Sequence, residues 1–146
     1  MGKLIIHNGR VLNTTRGLSD LHALNFAGGA LLSRVDSAAS VAPIPAAATL
    51  ECWIKLTSFA SGLNHICGQA TAGGSAGLYI TIEDIGGAVY KIKFRAGSGT
   101  TAISTTTVVA GTVYHIAATY DSADAGGTLK LYVNNTLEST AIDTSG

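Results

Sequence analysis

Val113–Thr140 reads VYHIAATYDSADAGGTLKLYVNNTLEST, two runs of alternating side chains separated by a short polar loop. In Val113–Asp121 one alternate set is Tyr114, Ile116, Ala118 and Tyr120, and the other is Val113, His115, Ala117 and Thr119. In Leu129–Asn134 the sets are Leu129, Leu131 and Val133 against Lys130, Tyr132 and Asn134. Side chains of a strand point alternately to the two faces of a sheet, so the pattern predicts antiparallel hairpin strands with one face buried. The loop Ser122–Thr128 carries Gly126 and Gly127, which reach positive φ at little cost, and Asn134-Asn135 marks a second turn.

The same alternation extends towards the N-terminus. Leu4–His7 and Arg10–Leu12 flank Asn8-Gly9, the pair a two-residue type I′ turn favours, so residues 1–13 are expected to form a hairpin. Asn13–Gly17 reads as a polar connector, and Leu21–Phe26 and Ala30–Val35 read as strands. Asp36–Ala48 holds both prolines, Pro43 and Pro45, which cannot donate to a ladder, so it is expected to be a loop. Thr49–Thr57 alternates cleanly, with Leu50, Cys52, Ile54 and Leu56 on one face and Glu51, Trp53, Lys55 and Thr57 on the other. Asn64–Gln69 is a short strand, followed by a Gly/Ser/Ala turn over Thr71–Gly77. Leu78–Glu83 and Val89–Arg95 pair about Gly86-Gly87, with Tyr90, Ile92 and Phe94 inward and a cationic stripe of Lys91, Lys93 and Arg95 outward. That stripe is expected to be a solvated face or edge protection, with ligand binding as the alternative. Thr100–Val109 is a threonine-rich strand. Short strands with Gly-rich turns and no helical pattern predict an all-β, antiparallel sandwich or barrel. The chain divides into residues 1–17, hairpin and connector, and 18–146, the main domain.

A length of 146 residues suits one domain with a real core. Hydrophobic residues make up 47% and charged residues 12%, and nine basic residues cancel nine acidic ones. A neutral chain without a basic patch has no electrostatic footprint for nucleic acid and no attraction to an anionic membrane. Near-zero net charge favours self-association, so a homo-oligomer is expected. No apolar run approaches the ~18 residues of a membrane span. The three apolar residues before His7 do not make a signal-peptide core, and the chain is expected to be soluble with no secretion address.

Chemistry-bearing residues are sparse. Cys52 and Cys67 could pair in principle, but Cys52 shares a face with Leu50 and Ile54 as a small core residue, and Cys67 falls on the opposite parity from Ile66. His7, His22, His65 and His115 lie in different segments without metal-ligand spacing, and His115 reads as a hydrogen-bonded structural residue. Asp121 and Asp124 bracket a loop and offer two carboxylates to Ca²⁺, which wants six or more oxygens. The carboxylate pair that glycoside hydrolysis requires is missing, Glu83-Asp84 being adjacent in a strand end where side chains point apart. There is no Gly-x-Ser-x-Gly elbow and no phosphate loop. No catalytic residue, cofactor-binding residue or metal ligand is assigned, and the chain is expected not to be an enzyme. Trp53, on the polar face of its strand, is expected to lie under a loop or a second layer, with a sugar-stacking platform as the alternative.

Taken together, Leu24-Asn25-Phe26, Thr49–Lys55 (TLECWIK), Tyr114–Asp121 (YHIAATYD) and Leu129–Asn134 (LKLYVN) are similar, in order and spacing, to motifs of the concanavalin A-like lectin/glucanase superfamily. Within that superfamily the segments resemble its laminin G-like jelly-roll branch. The resemblance covers roughly residues 22–141 and implies a two-sheet antiparallel jelly-roll sandwich, to which residues 1–13 add a β-hairpin. Ala27 stands where the family often has Asp, and Asn135 where it usually has Gly; Asn is the next-best residue for a left-handed turn. Family members continue into a further closing strand, whose place the N-terminal hairpin is expected to take, in its own subunit or in a neighbour's. The fold hosts lectins, adhesive modules and glucanases. With no carboxylate pair, the expectation is a structural or decoration protein of a viral particle, a bacteriophage head or tail component located in the virion. Its partners would be other virion proteins or copies of itself, with surface glycan as a further contact. The alternative is a carbohydrate-binding or adhesive module of a cell-surface or secreted protein.

Overall fold

A computed structural model of the chain describes residues 4–7, 10–13, 45–60, 62–70, 77–97, 99–124 and 127–143. The chain divides into two compact units, Met1–Ser37 and Ala38–Gly146. In the first unit β1 (Leu4–His7) pairs antiparallel with β2 (Arg10–Asn13), from Leu4 opposite Asn13 to His7 opposite Arg10. This is the predicted hairpin register, although Asn8-Gly9 lies outside the described residues. So do the strands expected at Leu21–Phe26 and Ala30–Val35.

The second unit is a sandwich of two four-stranded antiparallel sheets of jelly-roll type. One sheet runs β10 (Thr136–Ile142), β9 (Thr128–Val133), β8 (Val113–Asp121), β3 (Ala47–Lys55). The other runs β4 (Leu63–Ala70), β5 (Gly77–Asp84), β6 (Tyr90–Gly97), β7 (Thr100–Thr107). The sheets meet at both margins, with β10 against β7 and β3 against β4. Ala47 and Ala48, expected in the proline loop, instead begin β3 by pairing with Asp121 and Tyr120. Alanine is a poor strand former on its own, but a ladder with a well-ordered partner overrides that preference.

The core is the inward parity of each strand. Ile80, Ile82, Ile92 and Phe94 meet Ile116, Leu129, Leu131 and Val133, all with 2% exposure or less. Each such side chain contributes roughly 1.5–3 kcal/mol relative to leaving it in water. Phe59 stacks on Tyr90 at 3.9 Å and covers one end of this core. The Tyr114 hydroxyl accepts the Val109 N–H at 2.9 Å, so a buried phenol keeps a partner. At the β9–β10 turn Asn134 and Asn135 both have positive φ, 49° and 66°, the geometry of a type I′ turn. Asparagine tolerates it because its short amide has local partners, and here Asn134 Oδ1 accepts the His115 N–H at 2.9 Å.

Two elements differ from plain alternation. β5 is buried on both faces, with Tyr79 at 4% and Thr81 at 1% exposure although their parity is outward. The Lys91, Lys93, Arg95 stripe lies on β6, a central strand, so it does not protect an edge. Its charges are tied locally: Lys93 pairs with Glu83, Lys91 donates to the Thr105 carbonyl, and an Arg95 guanidinium N–H donates to the Tyr79 hydroxyl at 3.3 Å.

Glu138 clasps the two sheets together along one margin. From β10 it accepts the Thr106 N–H of β7 at 2.9 Å and the Thr106 hydroxyl. Burial alone would raise its pKa, but the hydrogen bonds from Thr106 and Thr105 outweigh that and hold the carboxyl below its usual value. A folded pKa below the unfolded one gives stability that is present above the unfolded value and is lost as pH falls through the folded one. Glu138→Gln is therefore expected to cost about 1 kcal/mol at neutral pH. Urea midpoints of wild type and variant should converge on acidification; a gap that persists in acid would refute the clasp.

Candidate functional site: the outer face of β3, β8 and β9

The outward parity of three neighbouring strands builds one continuous face. Across the ladders, Thr49, Thr119 and Lys130 form one row, Glu51, Ala117 and Tyr132 the next, and Trp53 and His115 the third. Ala117 contributes only a methyl to its row, between the larger Glu51 and Tyr132. Asp121 and Thr128 extend the face beyond the first row.

Trp53 does not lie beneath a loop or second layer. It is 71% exposed. Its ring packs on His115 at 4.7 Å with a 40° tilt, so the indole covers the imidazole while one side stays open to solvent. The reason is the sheet's position: β3 pairs only with β8 among the described residues, and its outward side chains have one cross-strand neighbour each. Beneath Trp53, His115 Nε2 donates to Glu51 Oε1 at 2.9 Å. The His115 side chain is mostly covered at 13% exposure, whereas Glu51 remains open at 63%. The hydrogen-bonded reading of His115 therefore holds, and the residue also supports an aromatic platform. A positioned indole, a fixed imidazole and an open carboxylate can stack on and hydrogen-bond to a polyhydroxylated ligand.

At the other end of the face lies a shallow depression of about 430 Å³, lined by Thr49, Thr119, Asp121, Asp124, Thr128 and Lys130 among others. The structure thus brings Asp121 and Asp124 to one concavity. Asp121 Oδ1 is engaged, accepting the Ala123 N–H at 2.9 Å, and the Asp124 carbonyl accepts the Thr128 hydroxyl at 3.0 Å. Among the described residues no third His, Cys, Asp or Glu joins them. His65 sits on β4, in the other sheet, with its ring 5.4 Å from Tyr79. His22 lies outside the described residues.

Sequence parity placed Trp53 and Glu51 together, but the third member was missed. Only the register, Trp53 opposite His115, joins them across the ladder. The signal was present in the two alternating runs: Glu51 and Trp53 share one outward set, and His115 belongs to another, with Val113, Ala117 and Thr119.

Residues 31–146 match a laminin G-type family model of the concanavalin A-like lectin/glucanases superfamily. No curated protein and no solved structure matches the chain. Leu24-Asn25-Phe26 falls ahead of the matched span, which contains the TLECWIK, YHIAATYD and LKLYVN segments and both sheets of the sandwich. By that match and by its two-sheet architecture, the chain belongs to the concanavalin A-like lectin/glucanases superfamily, in its laminin G-like branch.

Proposed function

We propose that the chain is a non-catalytic recognition module that takes a carbohydrate against the Trp53–His115 platform. The observation that carries this reading is the open indole: a large aromatic side chain held 71% exposed over a fixed neighbour. Exposing an indole forfeits most of its burial free energy, and such residues are enriched where a ligand later covers them. The state of the carboxylates supports the non-catalytic part. Glu51 is bonded to His115, Glu83 to Lys93 and Thr81, Glu138 to Thr106, and Asp84 caps the Gly86 N–H at 2.8 Å.

Trp53 is the only tryptophan in the chain, so its fluorescence reports on this platform alone. Titration with glycans chosen from an array should shift or quench that emission. Trp53→Ala should weaken binding of the selected sugar by about tenfold or more, while leaving the unfolding midpoint nearly unchanged. Glycan binding that survives Trp53→Ala, or emission indifferent to every sugar, would refute the platform.

A second reading is a subunit of a viral particle, such as a bacteriophage head or tail component, that displays this module. What favours it is the set of exposed apolar side chains at the strand ends on one side of the sandwich. Leu63, Ile85, Val109 and Val113, each at least half exposed, stand at or close to the ends of β4, β5, β7 and β8 there. Exposed apolar surface is costly for a lone monomer and, where it gathers, marks association sites. A defined oligomer by mass measurement, without glycan binding, would favour this reading over the first.

A further inference from the structure

Cys52 and Cys67 are the only cysteines of the chain. Simple alternation sends Cys67 away from the core, because it follows Ile66, an inward residue. The structure corrects that expectation. β4 pairs with β5 through His65 opposite Thr81 and then Cys67 opposite Ile80, a bulge that absorbs one extra residue. As a result Ile66 and Cys67, consecutive in sequence, both pack against the core. Cys52 packs against the same core from β3, the strand that faces β4 at this margin. The two thiols lie within hydrogen-bonding reach of each other.

We propose that Cys52 and Cys67 close an inter-sheet disulfide, stapling β3 to β4, when the protein meets a low-molecular-weight disulfide such as glutathione disulfide. Three observations bear on it. Cys52 and Cys67 pack against the same core from β3 and β4, the strands that meet at this margin, and no third cysteine competes. Both residues are only partly buried. Gly68, at φ +124°, fixes the bulge, since a Cβ there would stand 2.3 Å from the Leu78 carbonyl oxygen.

The shared proton assigns the order of steps. The hydrogen bond with Cys67, burial, and the charges of Cys67 and Glu51 push the Cys52 thiol up, whereas the hydrogen bond from Cys52 lowers Cys67 against the opposing effect of burial. Cys67, as thiolate, attacks one sulfur of glutathione disulfide, forming a mixed disulfide and expelling one glutathione thiolate. Cys52 then gives its proton to solvent and attacks the Cys67 sulfur, expelling the second glutathione thiolate. The protein is oxidised by two electrons, and one glutathione disulfide is reduced to two glutathiones.

The test treats the full chain with excess glutathione disulfide and reads intact mass, thiols titratable after denaturation, and melting temperature. The expected product is lighter by two hydrogens, has no titratable thiol, and yields a peptide joining Cys52 to Cys67. Its melting temperature should rise by about 5–10 °C and fall back with dithiothreitol. Cys52→Ser and Cys67→Ser should show neither the mass loss nor the rise. Retention of both thiols, accumulation of a doubly glutathionylated protein, or linkage only between molecules would each overturn the proposal.

Discussion

Gly68→Ala should destabilise the sandwich by about 3–5 kcal/mol, in the range reserved for a substitution that breaks a specific backbone arrangement. Two effects contribute and their sizes differ. Left-handed backbone alone costs a non-glycine residue roughly 1–2 kcal/mol. At Gly68 the new Cβ would also stand 2.3 Å from the Leu78 oxygen and 2.5 Å from the Tyr79 Cα, both backbone atoms of the paired strand. Neither can move without breaking the β4–β5 ladder, so the steric contribution dominates. Gly86 and Gly111 separate the two effects, because both have positive φ and a Cβ at either meets nothing within 4 Å. Gly86→Ala and Gly111→Ala should therefore cost only the backbone share. Urea unfolding of the three variants checks the ranking, and equal midpoints would show that the bulge is not held by Gly68.

Phe94→Ala carries a comparable cost for a different reason. Phe94 is fully buried on the central strand β6 and pairs laterally with Ile80 and Ala102. Removing its ring loses the transfer free energy and leaves a cavity that two sheets, pinned at both margins, cannot collapse to fill. The expected loss is about 3–5 kcal/mol. Ile103→Ala on the adjacent strand, 43% exposed, should fall within about 0.5 kcal/mol of wild type. Denaturant unfolding followed by Trp53 emission and by circular dichroism measures both. A Phe94→Ala midpoint near that of Ile103→Ala would mean that the core is not where parity places it.

How far the fold could be read ahead of the structure follows from what alternation encodes. The runs at Val113–Asp121 and Leu129–Asn134 gave the buried sets correctly, because each strand has one dry face and hydrophobicity records it. The Asn134-Asn135 turn was legible for the same local reason: few residues tolerate two consecutive positive φ angles. Alternation has no symbol for a bulge, however. One inserted residue at Ile66 reversed the parity of everything that follows it in β4, and Cys67 was assigned to the wrong side. Gly68 was the available clue, a glycine inside a strand pattern.

The candidate face was legible only in pieces. Trp53 and Glu51 stood on the outward parity of their strand, but the expectation of a covering layer came from treating tryptophan as a burial signal. That holds for a side chain flanked on both sides and fails on β3, which has a single ladder partner among the described residues. The pairing of Trp53 with His115 is a non-local fact, spanning 62 positions of chain, and no local pattern contains it. Asp121 and Asp124 were close in sequence, so their sharing one depression was the easier inference.

The marginal position of β3 has a thermodynamic consequence for whatever the platform holds. Among the described residues β3 has a single ladder partner, β8, and a strand bonded on one side can detach at a fraction of the global unfolding free energy. A ligand that touches Trp53 on β3 and His115 on β8 binds only the closed ladder. By linkage, its binding free energy is then expressed partly as protection of the β3 amides from exchange. Affinity at the platform and local cohesion of the margin become two readings of a single equilibrium.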